Sequence, residues 1–322
     1  MSKTIASFVG LLALLLGATV STQTKADSDF KVTLLGTGTP IPDPDRFGPS
    51  TLVEAGNQKL LFDAGRGATI RLRQINSVKG TIMSRIDALF LTHYHSDHTL
   101  GIPDLWLTGW LANSRKQPFR LIGPVGAKSL MAGLESAYAL DIKIRLEDEK
   151  LPPDAIATIV EEFEKDGVVY DKDGVKVTAF TVDHGAAIKP AVGYRIEYKD
   201  RAVVISGDTR YDQNVIKYST GVDLLIHEVC VVRPELLSNI YIQRVVDHHT
   251  SPREAGQVFS LAKPKLAVYS HLVFLASDKV PRATVDDIVA GTRETYDGPL
   301  QVGADLMSFE IGDTITVHQR TP

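Results

Sequence analysis

Cysteine is nearly absent from this chain: Cys230 is the only one in 322 residues. No internal disulfide is possible, so stability has to come from core burial and from any bound metal. A lone cysteine of this kind reads as inert packing. Repeats of solenoid period are missing too, which excludes a repeat array. After residue 26 no apolar run approaches the roughly 18–20 residues that a membrane-spanning helix needs. A basic excess is also missing. Lys and Arg number 35 against 39 Asp and Glu, a net charge of −4, and no Lys/Arg stripe is concentrated anywhere. Nucleic-acid binding draws mainly on phosphate neutralisation by basic side chains, so this balance argues against a long polyanionic substrate.

What is present begins with an ordinary apolar content of 43%, enough for a substantial core. The N-terminus stands apart. Lys3 precedes a Leu/Ala/Val-rich run from Ile5 to Leu16, and small and polar residues follow as far as Ala26. This layout predicts a secretory signal peptide over residues 1–26, with Thr24-Lys25-Ala26 as the cleavage site. Its apolar core of about 12 residues is short for a retained anchor. The expectation is a periplasmic or secreted protein with no membrane contact after cleavage. Losing Lys3 and Lys25 moves the net charge from −4 to −6.

From Phe30 onwards, short β runs alternate with helical segments. Strands are predicted at Lys31–Leu35, Thr51–Glu54, Lys59–Phe62, Ala88–Leu91, Arg120–Ile122 and Val175–Thr181. More follow at Val192–Tyr198, Ala202–Ile205, Leu224–Ile226, Leu266–Tyr269, Met307–Ile311 and Thr314–Val317. Helices are predicted at Ala68–Gln74, Ile102–Ala112, Gly126–Ala139, Pro252–Leu261 and Thr284–Tyr296. The fourth helix has a well-marked start, with Ser251 as N-cap, Pro252 at the first helical position and Glu254 completing a capping box. The acidic, Pro-containing segment Asp148–Asp173 reads as a helical excursion or a surface loop. Strands interspersed with helices imply a layered α/β domain. With no linker visible, residues 27–322 read as one domain.

Five clusters carry the candidate chemistry: His93-x-His95-x-Asp97-His98, Val182-Asp183-His184, Ser206-Gly207-Asp208-Thr209, His249, and Tyr269-Ser270-His271. Most follow an apolar β run, which is how a strand hands a polar side chain to a site at its end. His249 instead precedes a helix. His93 and His95 are two apart, so in extended backbone both imidazoles point the same way. Asp97 and His98 fall on the next bend and can face a second ion. Imidazole and carboxylate suit Zn²⁺, and a hydrolytic zinc keeps a position open for water. A single histidine is usually an ordinary hydrogen-bonded residue. Three of the nine histidines within six positions, with an aspartate among them, point to a metal site.

On these residues the sequence resembles the metallo-β-lactamase superfamily, whose signature is His-x-His-x-Asp-His, and most closely its ribonuclease Z and arylsulfatase-like branch. Gly36-Thr37-Gly38-Thr39-Pro40 resembles that branch's opening loop. Asp63-Ala64-Gly65 matches the superfamily's aspartate after an early strand. The resemblance implies a four-layer αββα sandwich and a hydrolase holding two zinc ions per chain. It implies that His93, His95 and His184 hold one metal, that Asp97, His98 and His271 hold the other, and that Asp208 bridges them. Asp63 would orient a ligand histidine. In the true β-lactamases a cysteine usually stands where Asp208 does, and flavodiiron relatives tend to have glutamate in place of His95. Glu228 and His249 resemble the Glu–His pair of the ribonuclease Z branch, which implies a proton donor beside the metals. Spacing favours His249 over His248, since it lies 22 positions before His271. Asp97, Glu228 and His249 make up the implied catalytic set.

Two departures narrow the expected substrate. Ribonuclease Z usually carries a long tRNA-gripping arm between the positions matching His184 and Asp208, which here are only 24 apart. It also tends to have a Ser-x-Arg-aromatic segment where this chain reads Leu272-Val273-Phe274-Leu275. The expectation is therefore an exported enzyme for small sulfate or phosphate esters, arylsulfatase-like, with no nucleic acid among its partners and a homodimer compatible with the sequence. The alternative is a phosphodiesterase or ribonuclease Z-type endoribonuclease. A lactonase or β-lactamase comes next, then a non-catalytic metal-binding module. Trp106, Trp110, Phe47 and Phe274 are candidate pocket walls, although helical spacing suits the two tryptophans equally to the core. Arg46 reads as an anion contact or a surface charge. His227 and His248 read as pocket lining, and His318 as a surface residue.

Overall fold

A computed structural model describes residues 29–75, 82–111 and 115–319, together with Met1. The predicted leader, 1–26, lies outside these apart from Met1. Among the described residues no helix is long and apolar enough to cross a membrane.

The chain first lays down β1 (Phe30–Gly36), β2 (Ser50–Ala55), β3 (Gln58–Phe62), β4 (Ala88–Phe90), β5 (Phe119–Pro124) and β6 (Thr158–Phe163). It then crosses to a second sheet of β7 (Gly167–Lys172), β8 (Val175–Thr181), β9 (Val192–Tyr198), β10 (Arg201–Ile205), β11 (Leu224–Val231), β12 (Leu266–Phe274) and β13 (Leu300–Val302). It returns to the first with β14 (Ser308–Ile311) and β15 (Ile315–His318). The strand orders are β15-β14-β1-β2-β3-β4-β5-β6 and β13-β12-β11-β10-β9-β8-β7.

Side-chain alternation explains the layering. Leu34, Leu60, Val203 and Leu224 point between the sheets into a shared core with Phe62, Phe90 and Tyr194. Their neighbours Leu35 and Leu61, and Val204 and Leu225, point outward on opposite sides of the molecule. A strand whose successive residues are all apolar is buried on both faces and needs a helix layer outside it. On the first sheet that layer is α1 (Ala68–Ile75), α2 (Ser96–Thr99), α3 (Ile102–Leu111), α4 (Ala127–Glu147) and α5 (Pro153–Ile156). On the second it is α6 (Gln213–Ser219), α7 (Ile240–Val246), α8 (Pro252–Ala262) and α9 (Val285–Arg293). The result is an αββα sandwich. The capping box of α8 forms as predicted, with Ser251 and Glu254 each accepting from the other's backbone.

Two predicted elements need correction, and two helices over the second sheet escape prediction. Asp148–Asp173 is not a helical excursion or loop, because it contributes β6, parallel to β5, and β7, antiparallel to β8. Both are edge strands. Asp171 and Lys172 of β7 are exposed, where charge discourages pairing with other chains, while Glu162 of β6 turns back to accept from the Gly126 and Lys128 backbones. The helix predicted to stop at Ala139 continues to Glu147. The unpredicted helices are α6 and α7. Each is only seven residues long, too short for its apolar spacing, Ile242, Val245 and Val246 in α7, to stand out.

Between β11 and β12 the register slips: His227 faces Tyr269, but Val229 faces Leu272. One extra residue on β12 therefore sits opposite Glu228, a β-bulge. It places His271 at φ +46, a left-handed conformation that a non-glycine residue adopts at a cost.

Candidate metal centre

The parallel strands deliver their polar side chains at one rim. His93 follows β4, His184 follows β8 and Asp208 follows β10, while the bulge turns His271 out of β12. Gly65 lets the loop after β3 pass close to the His-rich turn, since a Cβ there would stand 2.4 Å from the Asp97 carbonyl oxygen. All seven residues expected as metal ligands come together here. His93, Asp97, His98, His184, Asp208 and His271 are buried, and His95 is half-buried.

The proton inventory indicates what the centre can hold. His93 Nδ1 lies 3.0 Å from Thr92 Oγ1, whose own hydroxyl donates to Asp63 Oδ2 at 2.8 Å. The ring must therefore donate from Nδ1, leaving Nε2 bare. His184 donates from Nδ1 to the His248 carbonyl at 2.7 Å and is likewise bare at Nε2. Both bare nitrogens face His95 Nδ1, at 3.0 and 3.3 Å. At most one proton can lie among these three atoms, which is the donor set of a cation site rather than of a hydrogen-bond network. Burial holds His93 well below the ordinary imidazole range, lowers His95, and takes His184 down to about 4. All three are in the neutral form that a metal needs.

The second set repeats the pattern. His98 Nδ1 donates to Asp63 Oδ2 at 2.8 Å, and its Nε2 has no hydrogen-bond partner. That nitrogen points at Asp97 Oδ2, 3.5 Å away, and at Asp208 Oδ2, 3.4 Å away. His271 Nε2 is 3.2 Å from each of the same oxygens. Burial works against charge on His98, but Asp208 and Asp63 outweigh it and raise its proton affinity. The field that draws a proton there would equally draw a divalent cation. Asp208 is central to both sets: its Oδ2 also lies 3.8 Å from His93 Nε2 and 3.7 Å from His184 Nε2. Two groups, His93-His95-His184-Asp208 and Asp97-His98-His271, each bring their ligand atoms within 4.8 Å of one another. The donor set fits divalent cations.

Glu228 lies behind this cage, fully buried in β11. Its Oε1 accepts from the Thr250 backbone at 2.7 Å, and its Oε2 stands 3.2 Å from His249 Nδ1. Burial lowers the proton affinity of His249, but the carboxylate more than offsets this and raises it. His249 also lies with Asp208 and His271 in a third group within 4.8 Å.

A cavity of about 320 Å³ opens over the cage. His95, Asp97, Asp208, His248, His249 and His271 form its floor. Pro40, Ile41, Val245, Val273, Phe274 and Leu275 form its walls. Of the candidate walls, only Phe274 lines this cavity. Trp106 and Trp110 are core, with indole N–H groups donating to the Ile156 and Pro152 carbonyls. Phe47 packs under the Arg71 guanidinium, 4.0 Å from the ring centre. Arg46 turns inward to Thr37 and the Gly303 carbonyl, which removes it as a free anion contact. His248 lines the cavity, whereas His227 is buried behind it against Phe259. His318 pairs with Glu310 at the surface. Burial pushes the Cys230 thiol up, so it stays protonated and inert.

Sequence reasoning missed Thr92, which ties Asp63 to the cage and whose position just before His93 was its only signal. It also missed Asp305. This buried carboxylate accepts from Thr37 N at 2.9 Å, Thr37 Oγ1 at 2.8 Å, Phe47 N at 2.8 Å and Arg71 Nε at 3.0 Å. It thereby pins both ends of the loop that carries Pro40 and Ile41. Nothing in the local sequence marks it.

With this geometry in hand, similarity to known proteins can be weighed. The beta-lactamase superfamily domain matches residues 58–272. Ribonuclease Z of Mycolicibacterium gilvum (strain PYR-GCK) is 34% identical over 289 residues, covering 87% of this chain and 96% of the relative. Among solved structures, the metallo-beta-lactamase fold protein YhfI of Bacillus subtilis superposes with a TM-score of 0.65 at 20% identity, covering 87% of this chain and 98% of that one. Human tRNase Z, short form, superposes with a TM-score of 0.63 at 23% identity, covering 86% and 98%. At those identities the two structures speak to the fold.

These relatives overturn three expectations. An arylsulfatase-like enzyme for small esters is corrected by a near-full-length relative named for cleaving RNA. The exclusion of nucleic acid from the partners, in favour of a small-molecule ester, falls with it. A missing arm and an acidic net charge remove some backbone contacts, but they leave the chemistry of a phosphodiester intact, and net charge says little about one rim. The periplasmic or secreted placement is withdrawn on the same finding, because it rested on the small-ester reading together with a leader that, Met1 apart, lies outside the described residues.

Proposed function

We propose, since this chain belongs to the beta-lactamase superfamily and to its ribonuclease Z branch, that it is a two-zinc phosphodiesterase that cleaves RNA. The observation that carries this reading is Asp208 Oδ2, which stands 3.2–3.8 Å from four imidazole nitrogens beside the Glu228–His249 pair. His93, His95 and His184 would hold one ion, and Asp97, His98 and His271 the other, with Asp208 shared. Borderline-soft imidazole with hard carboxylate favours zinc. When bound, the ions supply a water that ionises near neutral pH and Lewis acidity towards the phosphate.

The remaining work falls to the chain itself. Asp63 and Thr92 fix the tautomers of His98 and His93 from behind, which sets the direction of each bare nitrogen. Burial works against charge on Asp97, but the hydrogen bond with His271 and the positive field of the centre outweigh it and hold the carboxyl below its usual range. It can therefore accept the hydrogen bond that orients the attacking water. Glu228 accepts the Nδ1–H of His249 and raises the proton affinity of the ring. The imidazolium form carries a second proton on Nε2 and can give it to the departing oxygen, a role worth about 10²–10⁴-fold. Phe274 and Val273 give the leaving nucleoside an apolar wall in place of water.

The test is the full chain loaded with zinc, its metal counted by plasma mass spectrometry, and incubated with labelled precursor tRNA, an unstructured RNA and an aryl sulfate. Internal cleavage of RNA is expected. Turnover of the aryl sulfate with intact RNA would contradict the proposal.

A further inference from the structure

An enzyme that cuts RNA has to hold the strand beyond the scissile bond. No Lys or Arg lines the cavity itself, and a guanidinium at its wall, that of Arg282, lies over the Phe274 ring, 4.7 Å from its centre. Exposed groups beside the mouth include Ile41 and the side chains of α7. This helix supplies Val245 to the cavity wall and leads directly into His248 and His249. None of its residues is buried. Tyr241 is 72% exposed and Ile240 53% exposed. Arg244 is the only charged residue between Ile240 and Val246, and its guanidinium lies 5.7 Å from the centre of the Tyr241 ring. At the C-terminal end of the helix, Arg210 donates to the Asp247 carbonyl. The charges facing this surface are thus Arg244 and Arg210 against the carboxylates of Asp247 and Asp183, the latter 3.5 Å from Arg210.

A buried seat is the usual reason for a large aromatic, yet Tyr241 has none and is paired with a cation on a surface continuous with the candidate site. Single-stranded nucleic acid is held by this combination: an aromatic face for a base and a neighbouring guanidinium for phosphate or stacking. We propose that the exposed face of α7, Tyr241 with Arg244, is the platform on which a single-stranded RNA segment lies as it leaves the cavity. This rests on the RNA-cleaving reading above. It also gives a chain with only 24 positions between His184 and Asp208 a grip on RNA that needs no long arm.

The experiment separates the platform from the chemistry. Binding of a labelled single-stranded RNA is followed by fluorescence anisotropy on the zinc-loaded full chain carrying His249→Ala, so that the probe survives, with and without Tyr241→Ala/Arg244→Ala. The double change is expected to weaken binding about 5- to 100-fold, the worth of one stacked base and its cation. In the chain with His249 intact it should raise KM for RNA in step while kcat, zinc content and thermal unfolding hold. Tyr241→Phe, which keeps the ring, should restore affinity. Affinity within twofold of the parent in the double variant overturns the platform, and so does a parent chain that binds no RNA. A parent that binds RNA and never cuts it sinks the hydrolase reading, while the anisotropy comparison still decides the platform.

Discussion

The cage and its mouth are held in different ways. Around Asp208 four imidazoles have a partner behind them: Thr92 for His93, Asp63 for His98, the His248 carbonyl for His184 and Glu228 for His249. These groups are buried between two sheets and have little freedom to move. At the mouth, Ile41 is 74% exposed and Tyr241 72% exposed, and no residue of α7 is fully buried. The backbone there is fixed from a distance, by Asp305 under one loop. Chemistry demands fixed geometry and substrate choice demands a surface, so what the mouth lacks says little about what the cage can do.

The largest effect that would break this contrast concerns His249. Replacing it with Ala is expected to cut RNA turnover by about 10²–10⁴-fold, the span of a lost proton donor, with bound zinc unchanged by plasma mass spectrometry. Loss of metal in that variant would make His249 part of the cage, as its place within 4.8 Å of Asp208 and His271 permits. Next comes the remote anchor. Asp305→Ala leaves the Arg71 guanidinium, 3% exposed and now 2.9 Å from its carboxylate, buried without its partner. Such a broken pair costs about 3–5 kcal/mol, to be read as a lower urea midpoint. A midpoint at the wild-type value would show that the loop is pinned by other contacts. The smallest effect belongs to the mouth itself. Ile41→Ala is expected to change stability by no more than about 0.5 kcal/mol and to alter KM for RNA alone, as steady-state kinetics would show.

Much of this architecture was legible in the sequence, and the parts that were not share a cause. Leu34–Leu35, Leu60–Leu61 and Leu224–Leu225 announce strands buried on both faces, and His93 to His98 announce the cage, because each signal is local. β6 and β7 hid because edge strands carry charge, and that charge in Asp148–Asp173 reads as loop. α7 hid because it is a seven-residue helix whose inward face, Ile242, Val245 and Val246, is only half-buried. Asp305 hid because its partner Arg71 is 234 positions away. The bulge that aims His271 into the site is a matter of pairing between β11 and β12, which neither strand's sequence reveals alone. The small-ester expectation failed because net charge and a missing arm are averages and absences, while the proposed hold on RNA would depend on a few exposed side chains.

The central claim is that two ions in the Asp208-centred cage drive hydrolysis of RNA. It is tested most directly by stripping the full chain of metal, restoring zinc in steps, and measuring the rate of precursor tRNA cleavage against zinc bound per chain. Cleavage that is absent without metal and rises to its maximum as the second zinc binds is the expected result. Undiminished cleavage by the stripped chain, or none from a folded chain holding two zinc ions, would contradict it.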